Sequence, residues 1–248
     1  MLNTSVSIIV PAYNEEARIA DSLRQILLYI DEKIPSAELI VVDDGSTDAT
    51  VEVAERVHAE FPQLQTKILG YDKNRGKGYA VRKGLLKSTG EIALFSDADL
   101  STPISQLEKL IAPIEKGKYD VTFGSRALDR SLIGTHQPWR REQGGRLINL
   151  MIRKMTGLPF ADTQCGFKAF RMSKFQALLD AMQINRFGFD VEFLFVAKLR
   201  GLRLKEIPVR WNNVEGSKVS ALRDTRRMFN ELLQIRKNAR RGIYDKKS

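Results

Sequence analysis

Short apolar runs alternate with longer amphipathic stretches along the first half of the chain. The runs SVSIIV, AELIVVDDGS, TKILGY, EIALFSDAD and YDVTFGSR contain the β-branched and aromatic residues that favour strands. The stretches between them have the period of a helix. In EEARIADSLRQILLYI, one helical face holds Ile19, Leu23, Ile26, Leu27 and Ile30. Strands joined by single helices predict an α/β fold with a mostly parallel central sheet flanked by helices.

The second half of the chain has a less regular pattern. Residues 127–143 are polar and have no period, which predicts a loop. Beyond them we expect a helix, a short strand, a compact helix, an extended segment near a sheet edge and a last helix. These are GGRLINLMIRKMTG, GFKAFR, FDVEFLFVAKLRG, LKEIPVRW and about Ala221 to Arg241. We predict one domain over 1–216, with halves 1–126 and 127–216 that share a core, and an extension over 217–248.

Acidic and polar residues follow three of the predicted strands. PAYNEE follows the first strand, DDGSTD the second and DADLS the fourth. In an open parallel α/β sheet, ligands bind beyond the carboxyl ends of the strands. The three clusters are therefore expected to meet at one rim of the sheet and to form a binding site there.

Two aspartates, Asp97 and Asp99, stand two positions apart at the end of the fourth strand. In an extended segment, side chains at this spacing point the same way, so both carboxylates can face one cation or reach it through water. Oxygen ligands suit Mg²⁺ or Mn²⁺, which usually keep waters and bind substrate phosphates. The alternative is an Asx turn that leads into a helix start at Ser101 and Pro103. The triplet alone leaves both possibilities open.

A second acidic pair and a basic loop offer further contacts. DGSTD is a favourable turn sequence, so one of Asp43 and Asp44 can serve the turn while the other faces the site. In KNRGKGYAVRKG, Lys73, Arg75 and Lys77 stand among glycines, but the segment lacks the spacing of a P-loop. Backbone N–H groups and cations at such a helix start are suited to a diphosphate.

Composition narrows the class of protein. The chain has 248 residues, of which 43% are hydrophobic, so it can bury a substantial core. It contains no apolar run as long as a membrane span and no signal-peptide pattern. Its one cysteine, Cys165, indicates weakly a reducing compartment. We therefore expect a soluble or peripheral protein that faces the cytoplasm.

The positive charge is concentrated at the C-terminus. The formal net charge is +10, and residues 217–248 hold ten Lys or Arg against three acids. Such a segment attracts nucleic acid, acidic lipid or other phosphates, or it is a solvated basic helix. Nucleic-acid binding explains the charge but not the acidic rim, and the arginines are not interleaved with aromatic residues. We expect no nucleic acid partner.

Five motifs in order, SIIVPAYNEE, IVVDDGSTD, NRGKGYA, SDADLSTP and FGSR, resemble glycosyltransferase family 2 with the Rossmann-like GT-A fold. In the second half, DTQCGFKAF, FGFDVEFLFVAKLRG and VRWNNVEGSKV are similar to dolichyl-phosphate glucosyltransferases, the polyprenyl-phosphate glucose synthases. The resemblance covers about residues 5–235. It implies a nucleotide-sugar donor, UDP-glucose first, a divalent cation (Mg²⁺ or Mn²⁺) and a polyprenyl-phosphate acceptor such as dolichyl or undecaprenyl phosphate.

The resemblance also implies roles for individual residues. Residues 1–126 would be the nucleotide-sugar half and 127–216 the acceptor half. The nucleotide would be bound by Pro11, Tyr13, Glu15, Asp44 and Lys77. Asp97 would support the donor and the metal, and Asp99 would bind the metal on the diphosphate. The acceptor phosphate would meet Arg126, Arg141 and Lys218. Besides Asp97, Asp190 and Glu192 fall where related enzymes place an acidic catalytic residue.

The acceptor's chemistry limits what those acids need to do. A phosphate monoester has a second pKa of about 6, so it is largely dianionic at neutral pH and attacks the anomeric carbon without a general base. Asp190 would then orient the sugar or the acceptor instead of removing a proton. Direct displacement inverts the anomeric centre and gives a β-linked polyprenyl-phosphate glucose.

The last predicted helix has two possible roles. Its apolar residues Phe229, Leu232 and Leu233 stand beside many arginines, which fits an amphipathic anchor at a membrane surface. An ordinary helix with one face on the core and a basic outer face fits equally well. The leading hypothesis is thus a peripheral glucosyltransferase at the cytoplasmic face of a membrane. The alternatives are a mannose synthase that uses GDP-mannose, a nucleic-acid-binding protein and a non-catalytic nucleotide-sugar sensor.

Overall fold

A seven-stranded sheet forms the centre of the protein, with the strand order β3-β2-β1-β4-β6-β5-β7. A computed structural model describes residues 4–135, 139–214 and 221–245, and their side chains except at 139–141 and 221–224. The strands are β1 Val6–Ala12, β2 Glu38–Asp43, β3 Gln65–Leu69, β4 Ile92–Ser96, β5 Val121–Ser125, β6 Phe167–Arg171 and β7 Leu204–Pro208. All neighbours pair in parallel except β6, which runs antiparallel to both β4 and β5.

Eight α-helices are described, and they cover both faces of the sheet. They are α1 Ile19–Lys33, α2 Thr50–Ala59, α3 Lys77–Lys87, α4 Leu107–Glu115, α5 Trp139–Thr156, α6 Met172–Phe175, α7 Phe189–Leu199 and α8 Ala221–Arg240. Short 3₁₀ turns lie at Ile104–Gln106, Arg130–Leu132, Gln176–Ala181 and Ile243–Asp245. Because both faces are covered, every residue of β1 and β2 is buried, which explains the apolar runs 8–12 and 39–42 within them.

The helices divide the core into two apolar clusters. Helices α1, α2 and α4 pack on one face of the sheet, and α3, α5, α6, α7 and α8 belong to the cluster on the other. The predicted α/β fold is confirmed, including the helix near the C-terminus. The predicted loop 127–143 is too long, since α5 already begins at Trp139. The sequence gives no apolar period there because the first turn of α5 is almost wholly polar.

Helix α8 packs on the core with one face. Met228, Leu232 and Ile235 are at most 4% exposed and belong to the same cluster as α7. Leu232 therefore does not contribute to a membrane anchor, contrary to one of the two interpretations of this helix. Phe229 and Leu233 are 44% and 46% exposed. Among the described helices, none is long and apolar enough to cross a bilayer.

A buried carboxylate fixes the end of the sheet opposite the predicted rim. Glu38, at the start of β2, accepts hydrogen bonds from the Ser7 hydroxyl at 2.6 Å and from the Thr89 backbone N–H and hydroxyl at 2.6 and 2.8 Å. Lys67 on β3 lies 2.7 Å from its second oxygen. Burial alone would raise the pKa of Glu38, but Lys67, Ser7 and Thr89 outweigh it and lower the pKa to about 2.

We predict that Glu38→Gln lowers the free energy of unfolding at pH 7 by about 2 kcal/mol, with allowance for solvent screening. A carboxyl group whose pKa is depressed stabilises the fold above its unfolded pKa of about 4.3, and this contribution disappears as the pH falls toward 2. Urea unfolding of both proteins between pH 7 and pH 2 measures the difference. Glu55→Gln, at an exposed position on α2, is the control and should stay near wild type. A Glu38→Gln difference that does not change with pH would contradict this assignment.

Candidate active site

The turns that follow β1 and β2 interlock at the rim. The backbone N–H of Asn14 donates to the Ser46 hydroxyl at 2.9 Å, and the Asn14 side chain accepts from the Thr47 N–H at 2.8 Å. The Glu15 N–H donates to the Thr50 hydroxyl at 2.8 Å. Asn14 has a φ of 53°, a left-handed conformation that asparagine tolerates. The YNEE and DDGSTD segments are therefore brought together, as the sequence predicted.

The two neighbouring aspartates have separate tasks. Asp43 accepts the Ser46 N–H at 3.1 Å and serves the turn. Asp44 is 3% exposed and holds the loop after β3. Its carboxylate accepts from the Tyr71 hydroxyl at 2.7 Å and the Asn74 amide at 2.9 Å. It also accepts from the backbone N–H groups of Arg75 and Gly76. Asp44 thus organises the basic loop that leads into α3, and its contact with a nucleotide stays a prediction.

The remaining predicted nucleotide residues on β1 and its turn are accessible to different degrees. Pro11 lies within β1 beside Val42, and Tyr13 is 43% exposed just beyond the strand. Glu15 forms an ion pair with Arg18, whose pKa is raised by the hydrogen bond and charge of Glu15 and, to a smaller extent, by Asp99 and Asp97. Arg18 is therefore a cation near the acidic pair that sequence reasoning missed. Its position three residues after Glu15 is the only sequence signal.

Asp97 forms an ion pair at the rim. Its carboxylate lies 2.5 Å from the ammonium of Lys77, the first residue of α3. Burial lowers the pKa of Lys77, but Asp97 and Asp190 outweigh it, so the pKa is raised and the side chain stays charged. The helix start and the lysine together provide positive charge beside a carboxylate. This arrangement suits a diphosphate that is held by a cation.

Gly166 makes room for that carboxylate. The Asp97 N–H donates to the Gly166 carbonyl at 3.0 Å, since β4 and β6 run antiparallel at this point. A Cβ atom at Gly166 would lie 2.1–2.2 Å from the carboxylate atoms of Asp97, a distance at which something must shift. Any other residue at position 166 would therefore displace Asp97.

At Asp99 the structure shows the turn that the sequence offered as one alternative, and metal binding stays a prediction. One of its oxygens accepts the Ser101 N–H at 3.0 Å, which is the Asx turn, and the side chain remains only partly buried at the rim. Among the described residues, no group of three or more His, Cys, Asp or Glu side chains could hold a metal ion. Carboxylate oxygens from Asp99 and Asp97 fit a Mg²⁺ or Mn²⁺ ion that takes its other ligands from water and substrate phosphate. The pairing of Asp97 with Lys77 favours Asp99 as the direct ligand.

Asp190, on the first turn of α7, is held by a buried lysine that sequence reasoning missed. Lys168 on β6 is 0% exposed, and its ammonium donates to Asp190 and to the Cys165 carbonyl at 2.6 Å each. Burial raises the pKa of Asp190, and the charges of Lys168 and Lys77 act in the opposite direction. A lysine within the apolar strand FKAFR was the available signal, because a buried charge requires a partner.

Glu192 has a structural position, unlike Asp190. It is fully buried and accepts hydrogen bonds from the Tyr244 hydroxyl at 2.6 Å and from the backbone N–H groups of Gln183 and Ile184 at 2.9 and 2.8 Å. The bond from Tyr244 fastens α7 to the 3₁₀ turn Ile243–Asp245, and the other two bonds hold the segment that precedes α7. The prediction of Glu192 as a catalytic residue is therefore corrected: two residues along a helix from Asp190, its side chain faces the core. Cys165 is also buried, which raises its pKa to about 12 and leaves it unreactive.

Arg126 lies in a second part of the site, next to the rim. Its guanidinium forms a bidentate pair with Asp162, at 2.7 and 2.9 Å, and lies 5.6 Å from the centre of the Trp211 ring. It lines a cleft of about 250 Å³. Arg130, in the same cleft, is paired with Glu142, whereas Arg146 and Arg153 have no ion-pair partner among the described side chains. Burial lowers the pKa of Arg126, but the charge and hydrogen bonds of Asp162 outweigh it and raise the pKa. The charge of Asp97 adds a smaller contribution in the same direction, which indicates that the cleft lies near the rim.

Two predicted acceptor contacts lie where the structure gives no side chain. Arg141 is in the first turn of α5, beside the cleft, but its side chain is not described. Lys218 lies outside the described residues. Both stay predictions.

The chain is similar to known proteins in sequence and in fold. The model of glycosyl transferase family 2 matches residues 7–179. The chain is 31% identical to dolichyl-phosphate beta-glucosyltransferase of Dictyostelium discoideum, over 99% of this chain and 78% of that protein. It is 35% identical to the Drosophila melanogaster protein of the same name, over 93% and 74%.

Among solved structures, glucosyl-3-phosphoglycerate synthase of Mycobacterium tuberculosis has a TM-score of 0.68 at 20% identity, over 94% of this chain and 81% of that one. Another crystal structure of that synthase, with Mn²⁺, UDP-glucose and phosphoglyceric acid, has a TM-score of 0.67 at 20% identity, over 94% and 80%. These structures share the predicted GT-A fold, and the family model matches most of the chain. The chain is therefore a glycosyltransferase and belongs to glycosyltransferase family 2.

Proposed function

We propose that this enzyme transfers glucose from UDP-glucose to a polyprenyl phosphate and inverts the anomeric centre, so that the product is a β-linked polyprenyl-phosphate glucose. The observation that carries the proposal is the rim geometry, in which Lys77, the start of α3 and the acids Asp97 and Asp99 stand beside an arginine-lined cleft. The names of the relatives, dolichyl-phosphate beta-glucosyltransferases, support glucose as the sugar and a lipid phosphate as the acceptor. They do not favour the alternative donor GDP-mannose.

The donor diphosphate would lie at the start of α3. Lys77 and the backbone N–H groups of the helix start supply positive charge there, and Arg18 adds a second cation near Asp97 and Asp99. When bound, a Mg²⁺ or Mn²⁺ ion held by Asp99 supplies further charge to the departing diphosphate. In this role Asp97 fixes the Lys77 ammonium and, with it, the position of the donor.

The acceptor phosphate would enter from the arginine cleft. Its dianion attacks the anomeric carbon directly, so no side chain has to remove a proton. Arg126, fixed by Asp162, has a set orientation from which the remaining guanidinium N–H groups can meet a phosphate. Asp190 then has an orienting role toward the sugar or the acceptor, and the charge of Lys168 opposes the rise in the pKa of Asp190 that burial causes.

The lipid part of such an acceptor stays in a membrane, so the enzyme has to work at its surface. We place it peripherally, at the cytoplasmic face. The exposed Phe229 and Leu233 on α8, next to the exposed Arg226 and Arg236, are compatible with contact to that surface.

A donor-by-acceptor assay tests the proposal. Purified enzyme is incubated with a short, water-soluble polyprenyl phosphate and either UDP-glucose or GDP-mannose, with Mg²⁺, Mn²⁺ or EDTA. We expect glucose transfer only, dependence on the metal and a β-anomeric proton signal in the product. Asp99→Ala should lower kcat/KM by about 100-fold or more, because the diphosphate loses its counter-charge. Transfer from GDP-mannose but not from UDP-glucose, or full activity in EDTA, would refute the proposal.

The buried ion pair of Lys168 and Asp190 is expected to control the protonation of Asp190. Lys168→Met leaves Asp190 buried without its paired cation, so its pKa should rise further and the carboxyl group should stay protonated to higher pH than in the wild type. We expect kcat to fall by about 10- to 100-fold, with less effect on the KM for UDP-glucose, and to recover as the pH is raised. The measurement is the pH profile of kcat.

Further variants separate this role from a loss of stability. The exposed Lys205→Met on β7 is the matched control and should keep the wild-type profile. The double variant Lys168→Met/Asp190→Asn removes both charges and should be more stable than Lys168→Met while remaining inactive. An unchanged kcat in Lys168→Met, or an active double variant, would exclude the orienting role of Asp190.

A further inference from the structure

The outer side of α5 combines leucine with positive charge. Leu147 is 68% exposed and Leu150 is 47% exposed. At a spacing of three residues the two side chains are neighbours on one face of the helix. Three exposed cations on the same face flank them. We call this set the α5 face: Arg146, Leu147, Leu150, Arg153 and Lys154.

The fold does not require these leucines. On the opposite side of α5, Ile152 is fully buried and Ile148, Met151 and Met155 pack against the core. Single exposed leucines are common on protein surfaces, but adjacent ones within a basic stripe are less so. The α5 face contains no acidic residue. The acidic residue of α5, Glu142, is paired with Arg130 in the cleft.

The α5 face is continuous with the arginine cleft. Arg146, Leu150 and Arg153 line that cleft together with Arg126. Arg146 and Arg153 lie two helical turns apart and have no ion-pair partner among the described side chains. An anionic headgroup in the cleft would therefore have its apolar chain next to Leu150.

The geometry points to the α5 face as the surface on which the enzyme docks to a bilayer that contains acidic lipid. Interfacial helices bind membranes in this way. Their leucines enter the boundary between headgroups and acyl chains, and the flanking Lys and Arg side chains extend to the lipid phosphates. A protein partner fits less well, because charged residues are depleted in the core of protein interfaces and three cations surround the two leucines of this face. The inference extends the proposed function, since docking through α5 would bring the acceptor phosphate directly to Arg126.

Vesicle sedimentation tests the docking without any donor or acceptor. Full-length protein is mixed with vesicles of phosphatidylcholine alone or with about one third phosphatidylglycerol. We expect binding to the acidic vesicles, and about tenfold weaker partitioning for Leu147→Gln/Lys154→Gln. Leu86→Gln/Lys87→Gln is the control. It removes one exposed leucine and one exposed lysine from the C-terminal end of α3, and it should bind as the wild type does.

Activity then separates docking from chemistry. With the short soluble acceptor, Leu147→Gln/Lys154→Gln should keep the wild-type rate, whereas with a long-chain acceptor in vesicles its rate should fall about tenfold. If wild type binds acidic vesicles but transfers no glucose, the docking surface stands and the proposed function fails. The docking inference is overturned if both variants bind the vesicles as wild type does, or if wild type does not bind them. It is also overturned if wild type instead forms dimers that Leu147→Gln/Lys154→Gln abolishes.

Discussion

The site depends on one close contact, in which the carboxylate of Asp97 lies against Gly166 with no space for a side chain between them. This contact exists because β6 is inserted antiparallel beside β4, so that Ser96 pairs with Phe167 and the next residues meet at the rim. Asp97 in turn fixes Lys77 at the start of α3. The same strand carries Lys168, which holds Asp190. One antiparallel strand thus positions the charged groups of both halves of the molecule.

The sequence predicted the parts of the fold that depend on local pattern. The first five strands and their helices have clear periods, and the acids at the ends of β1, β2 and β4 meet at one rim as expected. The place of β6 could not be predicted, because the order of strands is set by contacts between residues far apart in the chain. Without that order, the meeting of Gly166 with Asp97 and of Lys168 with Asp190 was not visible either.

The type of a residue alone does not show whether an acidic side chain belongs to the site or stabilises the fold. Asp190 and Glu192 belong to one short motif, yet helical geometry sends the first toward Lys168 and the second toward Tyr244. Asp43 and Asp44 are adjacent, and the structure gives the turn to the first and the basic loop to the second. In each pair the two carboxylates are chemically equivalent, and only their hydrogen-bond partners distinguish them.

In the proposed function, Asp97 holds Lys77 at the position of the donor diphosphate, and it can do so because Gly166 has no side chain that would displace the Asp97 carboxylate. Titration calorimetry of UDP in the presence of Mn²⁺ tests it most directly, with Gly166→Ala and the control Gly144→Ala, a helical glycine whose added methyl group meets nothing within 4 Å. We predict that Gly166→Ala weakens UDP binding by about tenfold or more while Gly144→Ala binds as wild type does. Equal UDP affinity for a folded Gly166→Ala protein and for wild type would contradict the claim.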